Sequence, residues 1–381
     1  MIYLTKEQKS IRQEIRKLAE EKFAPFAGEI DETGQYPNEL LDFFDEHDLL
    51  KLKLPEKYGG LEEEPVTYYL IIEEMARVCA SSAMFIAVHG SCLTSINFGA
   101  DEQLKDRILT KIGKGKYLMG WALTEPNAGS DVASMETLAV LDRDNYIING
   151  TKCFISGGAG GKAADIYTVF VKTGTGKGKK NISAFVIEKG TPGFSAGKIE
   201  NKLGLRGSQA VELIFKDVKI PMSNLIGKEG DGWQILMESI KETRLGVASI
   251  ALGVAQGALD HATDYAKHRI QFGRPISQFQ GIQFMLADMK MQVEASRALI
   301  YQAASMLERG EDDILPYASL AKCFASDAAM KVTTDAVQIL GGAGYMKDYP
   351  VERMMRDAKS TQLMEGTSQI QKIIIAKHML Q

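Results

Sequence analysis

The chain is poor in the features that mark several large protein classes. Its four cysteines, Cys79, Cys92, Cys153 and Cys323, lie far apart and form no CxxC pair, which argues against a zinc site and a disulfide framework. Reduced thiols in a cytoplasmic enzyme, with no metal, are the expectation. No apolar run approaches the length of a membrane span, and the opening "MIYLTKEQKSIRQEIRK" lacks the apolar core of a secretory signal. Lys and Arg total 45 against 49 Asp and Glu, a formal net charge of −4. No cationic surplus is present to draw nucleic acid or anionic lipid. What remains is an ordinary globular composition over 381 residues, enough for two or three domains.

Three segments differ in texture. Residues 1–118 read as a helical domain. Thr5 with Gln8 fits a capping box, Ile11, Ile15 and Leu18 keep helical spacing, and apolar-rich stretches follow over 64–80 and 82–98. Residues 119–230 turn to short alternating runs, "NYIING", "DIYTVFVK", "NISAFVIEK" and "AVELIFKDVKI", parted by Gly, Asn and Asp. They predict an antiparallel sheet, barrel or sandwich, not βαβ units. The tract "GTGKGKK" (174–180) fits an exposed hairpin loop. Residues 231–381 return to long helices, with Pro275 and Pro316 just before two of them and Gly310 and Gly341 just after two. Short connections between long helices suggest an antiparallel bundle. The fold class is therefore α+β.

Four stretches could carry chemistry. In "QLMEGTSQIQ", Glu365 sits in an irregular joint. Before it lies the amphipathic "PVERMMRDAK"; after it comes a terminal helix for which Ser368 and Gln371 supply a second capping box. A carboxylate favoured by the helix dipole is the bland explanation. "ALTEPNAGSD" (122–131) offers hydroxyls and bare backbone N–H groups to an extended polar ligand such as a flavin or phosphate, or is a plain inter-domain turn. "KHRIQFGRPISQFQ" (267–280) sets Arg269 and Arg274 around Phe272, suited to a pyrophosphate and an adenine or to a surface ion-pair patch. "QILGGAGY" (338–345) ends a helix on paired glycines. "GGAGGK" (157–162) is not a phosphate loop, because Ser156 stands where that motif needs Gly and Ala163 where it needs Ser or Thr.

Taken in order, "LTEPNAGSD", "LGLRGS", "FKDVKIP", "RIQFGRPISQFQ", "QILGGAGY", "YPVERMMRDAK" and "EGTSQIQK" resemble the acyl-CoA dehydrogenase family along essentially the whole chain. The resemblance implies an N-terminal helical domain, a middle β domain and a C-terminal four-helix bundle, with FAD between the last two. It implies that Glu365 removes the α-proton of an acyl-CoA thioester while a hydride leaves Cβ for the flavin. The Glu365 N–H and a ribityl hydroxyl would then hold the thioester oxygen. Leu123, Thr124, Ser130 and Ser156 are expected to line the flavin, and Phe154 to pack on its ring. Arg269, Phe272, Gln338 and Gly342 are expected to reach the FAD of a neighbouring subunit, which implies a homo-oligomer, a tetramer by preference. Thr367 and Gln369 are assigned to the adenosine end. Ser91, Ser130, Thr243, Arg244 and Gly366 are assigned to the substrate. Some members place their base at the position of Thr243, which cannot serve; the adjacent Glu242 is rotated by about 100° and is read as a solvated charge. Relatives often carry Thr where Ala210 stands.

The helix expected over the acyl tail, 82–99, holds no Lys or Arg and only His89, so a dicarboxylic tail such as glutaryl lacks a counter-charge there. Ser91, Cys92 and Thr94 suit a short acyl group, butyryl first, with a branched or alicyclic one such as cyclohexanecarboxyl second. Electron-transfer flavoprotein is the expected acceptor, rather than oxygen, because oxidase relatives are usually longer than a chain stopping at Gln381. A degenerate flavin-binding relative and a flavin monooxygenase are the rival readings; both are expected to lack the glutamate or the FAD contacts.

Overall fold

The computed structural model of the protein describes residues 4–174 and 178–381, so part of the 174–180 tract expected as a hairpin loop lies outside the described residues. Six helices come first: α1 (Lys6–Leu18), α2 (Ala27–Thr33), α3 (Asn38–Glu46), α4 (Pro65–Ala76), α5 (Ala80–Gly99) and α6 (Glu102–Lys114). The expected capping box opens α1, with Thr5 Oγ1 accepting from the Gln8 N–H at 3.1 Å and Gln8 Oε1 from the Thr5 N–H at 3.0 Å. Helix α5 has no polar stripe, and every residue from Ala80 to Ile96 is buried, so it runs through the interior. It packs on α4, on the later helix α7 (Gly232–His268) and on the first strand.

Eight strands form one sheet: β1 (Met119–Ala122), β2 (Leu138–Asp142), β3 (Asn145–Gly158), β4 (Ile166–Lys172), β5 (Ile182–Glu188), β6 (Phe194–Ile199), β7 (Gln209–Pro221) and β8 (Leu225–Ile226). The path is β6-β7-β3-β2-β4-β5-β8. It is not wholly antiparallel as expected, because β1 runs parallel to β4 and β2 meets β4 in parallel at Leu138 and Lys172. Alternation marks a half-buried strand of either direction, so strand sense was not legible in it. His89 of α5 ties the sheet to the helices, its Nε2 accepting from the Met119 N–H at 3.0 Å. Burial pulls its pKa down to about 3, so the imidazole is neutral at physiological pH.

A two-stranded ribbon, β9 (Ile270–Gln271) with β10 (Arg274–Pro275), follows α7. Then come α8 (Gln280–Glu308), α9 (Ile314–Leu340), α10 (Val351–Thr361) and α11 (Ser368–Met379). Helices α7, α8 and α9 pack on one another, with α10 and α11 against them. Pro316 lies inside the first turn of α9 and not before it, where its missing N–H has no helical partner to lose. Gly253 lets α7 cross α4 closely; a Cβ there would stand 2.3 Å from the Glu73 carbonyl oxygen.

A charged knot locks α4 to its neighbours. The buried Glu73 carboxylate accepts from Arg12 of α1 at 3.1 Å, from Arg297 of α8 at 2.9 Å and from the Tyr301 hydroxyl. Glu74 accepts from Arg12 at 2.6 Å and Arg16 at 2.8 Å. Removing one side of such a pair leaves the other charge buried without compensation. Glu73→Ala should therefore lower stability by about 3–5 kcal/mol, read as a fall in the urea midpoint; an unmoved midpoint would contradict this role.

Candidate active site

The chain between α10 and α11 is held in a conformation it would not adopt alone. Glu365 has φ 53° and Gly366 φ 87°, left-handed values that glycine tolerates and glutamate resists. Side chains from three helices hold the two carbonyls. Gln371 Nε2 donates to Glu365 O at 3.0 Å and to Gly366 O at 2.8 Å. Lys322 Nζ of α9 donates to Gly366 O at 2.7 Å, and Arg244 Nε of α7 to Glu365 O at 3.4 Å. The expected capping box of Ser368 and Gln371 is not formed. Thr367 is the cap of α11, its Oγ1 accepting from the Ile370 N–H, while Gln371 is turned back on the joint and Ser368 Oγ meets Asp327 at 3.2 Å. The pattern placed the helix start one residue late.

The Glu365 carboxylate itself has one neutral partner: Thr243 Oγ1 donates to Oε2 at 2.8 Å. Burial pushes the carboxyl up, while the Thr243 hydrogen bond and the charges of Arg244 and Lys322 pull it down; the net direction is upward. Burial also pulls the Lys322 ammonium down to about 8 and the Arg244 guanidinium down to about 10, both opposed by Glu365. The site thus offers a carboxylate with raised proton affinity beside two cations.

Glu365 faces a cavity of about 630 Å³ between the sheet and the helices. The structure brings to this cavity Leu123, Thr124, Ser130, Phe154 and Ser156 from the sheet side, Ser91 from α5, Thr243 from α7, and Gly366 and Thr367 from the joint. Ala210 lines it as well. Arg244 does not; it lies behind the wall, also bonded to Ser319 at 3.1 Å. Arg269, Phe272, Gln338, Gly342 and Gln369 are exposed and outside the cavity. Sequence reasoning missed Lys202, Leu203, Met364 and Val247, which line it, and Lys322, whose signal was a lysine in the otherwise apolar "SLAKCFAS".

The "LTEPNAGSD" loop has an interior anchor. Buried Lys152 of β3 donates to Glu125 at 2.7 Å and to Leu123 O at 3.0 Å, and Glu125 also accepts from the Thr137 N–H at 3.0 Å. Burial pulls Lys152 down to about 8. Burial alone would raise the Glu125 carboxyl, but Lys152 and the backbone donors outweigh it and hold it below the ordinary range. With this loop fixed, its hydroxyls border the cavity beside Phe154, an aromatic left 63% exposed. A broad aromatic face, three hydroxyls and no cluster of metal-ligating side chains among the described residues fit a planar heteroaromatic ring with a polar chain.

Glu242 is not the solvated charge expected of it. It forms an ion pair with Lys53, whose ammonium also donates to Thr94 Oγ1 at 2.8 Å. The rotation from Thr243 turns it away from the cavity, but toward the segment after α3, not toward water. A cation therefore reaches the 82–99 helix from elsewhere in the chain, already paired.

Three family models match consecutive parts of the chain: acyl-CoA dehydrogenase N-terminal domain over residues 5–116, middle domain over 120–218 and C-terminal domain over 230–380. Among curated proteins, a short-chain specific acyl-CoA dehydrogenase of Clostridium acetobutylicum is 45% identical, covering 98% of each chain. A cyclohex-1-ene-1-carbonyl-CoA dehydrogenase of Geobacter metallireducens is 46% identical over 100% of both. Among solved structures, butyryl-CoA dehydrogenase of Megasphaera elsdenii superposes with a TM-score of 0.95 at 42% identity over all of both chains. A chain in the structure of the electron transferring flavoprotein of Acidaminococcus fermentans does so at 0.96 and 44%, again over all of both. No described helix is long and apolar enough to cross a membrane.

The Thr243 hydrogen bond favours the ionised carboxylate. Thr243→Val should move the titration of Glu365 to higher pH, followed by the carboxyl stretch in difference infrared spectra; an unmoved or lowered titration would count against the contact.

Proposed function

The chain belongs to the acyl-CoA dehydrogenase family, and from that premise we propose that it oxidises a short acyl-CoA thioester to the 2-enoyl-CoA, butyryl-CoA first, with FAD as its cofactor. The observation that carries this reading is the Glu365 carboxylate, raised in proton affinity and turned into a cavity with the Phe154 ring and the Thr124, Ser130 and Ser156 hydroxyls. Bound FAD supplies the acceptor for the hydride that leaves Cβ. Glu365 takes the proton from Cα, and the electron pair of that C–H bond becomes the new Cα=Cβ bond. Among the described residues no acceptor takes the Glu365 N–H, which leaves it to the thioester oxygen, where it stabilises the charge that develops as Cα loses its proton. Leu123 and Thr367 border the same FAD, while Arg269, Phe272, Gln338, Gly342 and Gln369 are assigned to FAD bound across a subunit boundary. Phe272, 94% exposed, supports that assignment and a homotetramer.

An alicyclic acyl group is the second reading, supported by the Geobacter metallireducens relative. Electron-transfer flavoprotein is the proposed acceptor, supported by the match to a chain of the Acidaminococcus fermentans structure.

The test is anaerobic mixing of the purified flavoprotein with butyryl-, isobutyryl-, hexanoyl-, cyclohexanecarboxyl- and glutaryl-CoA while following the oxidised flavin band. Bleaching by butyryl-CoA is expected; bleaching by none would overturn the reading. Glu365→Gln should keep FAD and bind acyl-CoA, yet reduce the flavin roughly 10²–10⁴-fold more slowly, and normal reduction would remove Glu365 from the mechanism. Arg269→Ala should lose FAD or weaken assembly, measured by flavin content and light scattering; a fully loaded, normally assembled variant would contradict FAD shared between subunits.

A further inference from the structure

The joint that carries Glu365 rests on one face of α9. Ser319, Lys322, Cys323 and Asp327 recur there at helical spacing, and each meets the joint or a side chain that holds it. Asp327 Oδ1 accepts from Gln362 Nε2 at 2.6 Å and from Ser368 Oγ at 3.2 Å, one contact on either side of Glu365. Cys323 Sγ donates to Ser368 O at 3.7 Å. Lys322, wholly buried, takes the middle, its ammonium donating to Gly366 O at 2.7 Å. With Gln371 Nε2 at 2.8 Å, both lone pairs of that carbonyl are in use.

The three donors to the joint carbonyls are not equivalent. Gln371 belongs to α11, the helix into which the joint runs, so it moves with the joint. Arg244 Nε stands 3.4 Å from Glu365 O, beyond the usual hydrogen-bond range, and its Nη1 donates to Ser319 at 3.1 Å. Lys322 makes the short contact from a separate long helix. A glutamate resists the φ of 53° found at Glu365, so the joint needs a hold from outside itself.

We infer that Lys322 is a positioning residue for the base: through Gly366 O it sets where the Glu365 carboxylate stands, and it serves proton removal by this placement, not by its charge. This rests on the acyl-CoA reading above. The two actions of Lys322 pull in opposite directions. As a charge it favours the ionised carboxylate and makes Glu365 a weaker base. As a tether it keeps that base on the cavity. Its removal therefore leaves a stronger base in a looser seat. The other groups in play are Thr243 and Arg244 facing Glu365, and Arg244, Cys323 and Asp327 facing Lys322. None of these four donates to Gly366 O.

The experiment compares FAD-loaded wild type with Lys322→Met, which keeps the length of the side chain without its donor or charge. Two quantities are read: the limiting rate of anaerobic flavin reduction by butyryl-CoA above the Glu365 titration, and that titration itself, from the carboxyl stretch in difference infrared spectra of the substrate-free protein. The variant should hold FAD and reduce it about 10²-fold more slowly, the size of loss a misplacement of about 1 Å brings, although its carboxyl titrates no lower than in the wild type. A stronger base in an unchanged position would react faster. A flavin-containing variant that reduces at the wild-type rate or faster overturns the inference alone, as does a slower one whose carboxyl titrates lower, since weaker basicity then accounts for the loss. Should Lys322→Met not fold, Lys322→Gln, uncharged and one bond shorter, is read in the same way. Wild-type flavin bleached by none of the acyl-CoA thioesters overturns the acyl-CoA reading itself, and this inference with it.

Discussion

A carboxylate serves as a base inside a protein only if its charge is answered nearby without being quenched. A direct ion pair with Arg or Lys would hold Glu365 ionised but depress its proton affinity. The two cations here take a different arrangement. Arg244 and Lys322 each donate to a joint carbonyl, of Glu365 and Gly366, and Arg244 also to Ser319, while the carboxylate receives only the neutral Thr243 hydroxyl. The cations hold the backbone and lend their field from a distance, so burial remains the larger influence and the carboxyl stays raised. Positioning and basicity come from the same few side chains, used on different atoms.

That arrangement depends on how α7 is set. Thr243 and Arg244 lie on α7, and so does Gly253, whose bare Cα allows the approach to α4 at Glu73. The Glu73 and Glu74 knot then fastens α4 to α1 and α8. Two layers of buried charge result. The outer one fixes where the helices stand; the inner one, around Glu365 and Lys322, fixes a loop between helices. On the sheet side the Lys152–Glu125 pair does the same for the loop that carries Thr124 and Ser130.

What the sequence made legible follows from range. Contacts within a few residues were readable: the Thr5–Gln8 box, the glycine stops after α8 and α9, and the irregular joint that holds Glu365. Contacts between distant segments were not. Lys53 and Glu242 are far apart in the chain, as are Lys322 and Gly366, and neither lysine carries a local pattern that names its partner. Glu242 shows the limit well: helix geometry turned it from the cavity correctly, but only the packing of the α3–α4 segment decides whether that direction meets water or an ammonium. The same holds for strand sense, since β1 and β4 pair in parallel although β2 and β3 lie between them in the chain.

Backbone strain separates the residues that fold the chain from those that use it. Among non-glycine residues with positive φ, Asp48, Glu62, Arg143 and Asp217 are polar, and Arg143 turns the β2–β3 hairpin. Phe154, Leu205, Phe272 and Glu365 are bulkier or functional and share the same region of backbone space. For L-residues that conformation costs roughly 1–2 kcal/mol each, and it persists only where the surroundings enforce it. Three of these four border the one cavity that holds Glu365. The fourth, Phe272, is 94% exposed on the β9–β10 turn, its ring touching Phe279 edge-on. Folding a single chain gains little from straining a phenylalanine in order to expose it. Phe272 thus shares its strained, outward-held geometry with Phe154, which agrees with the proposal that a neighbouring subunit's cofactor covers it.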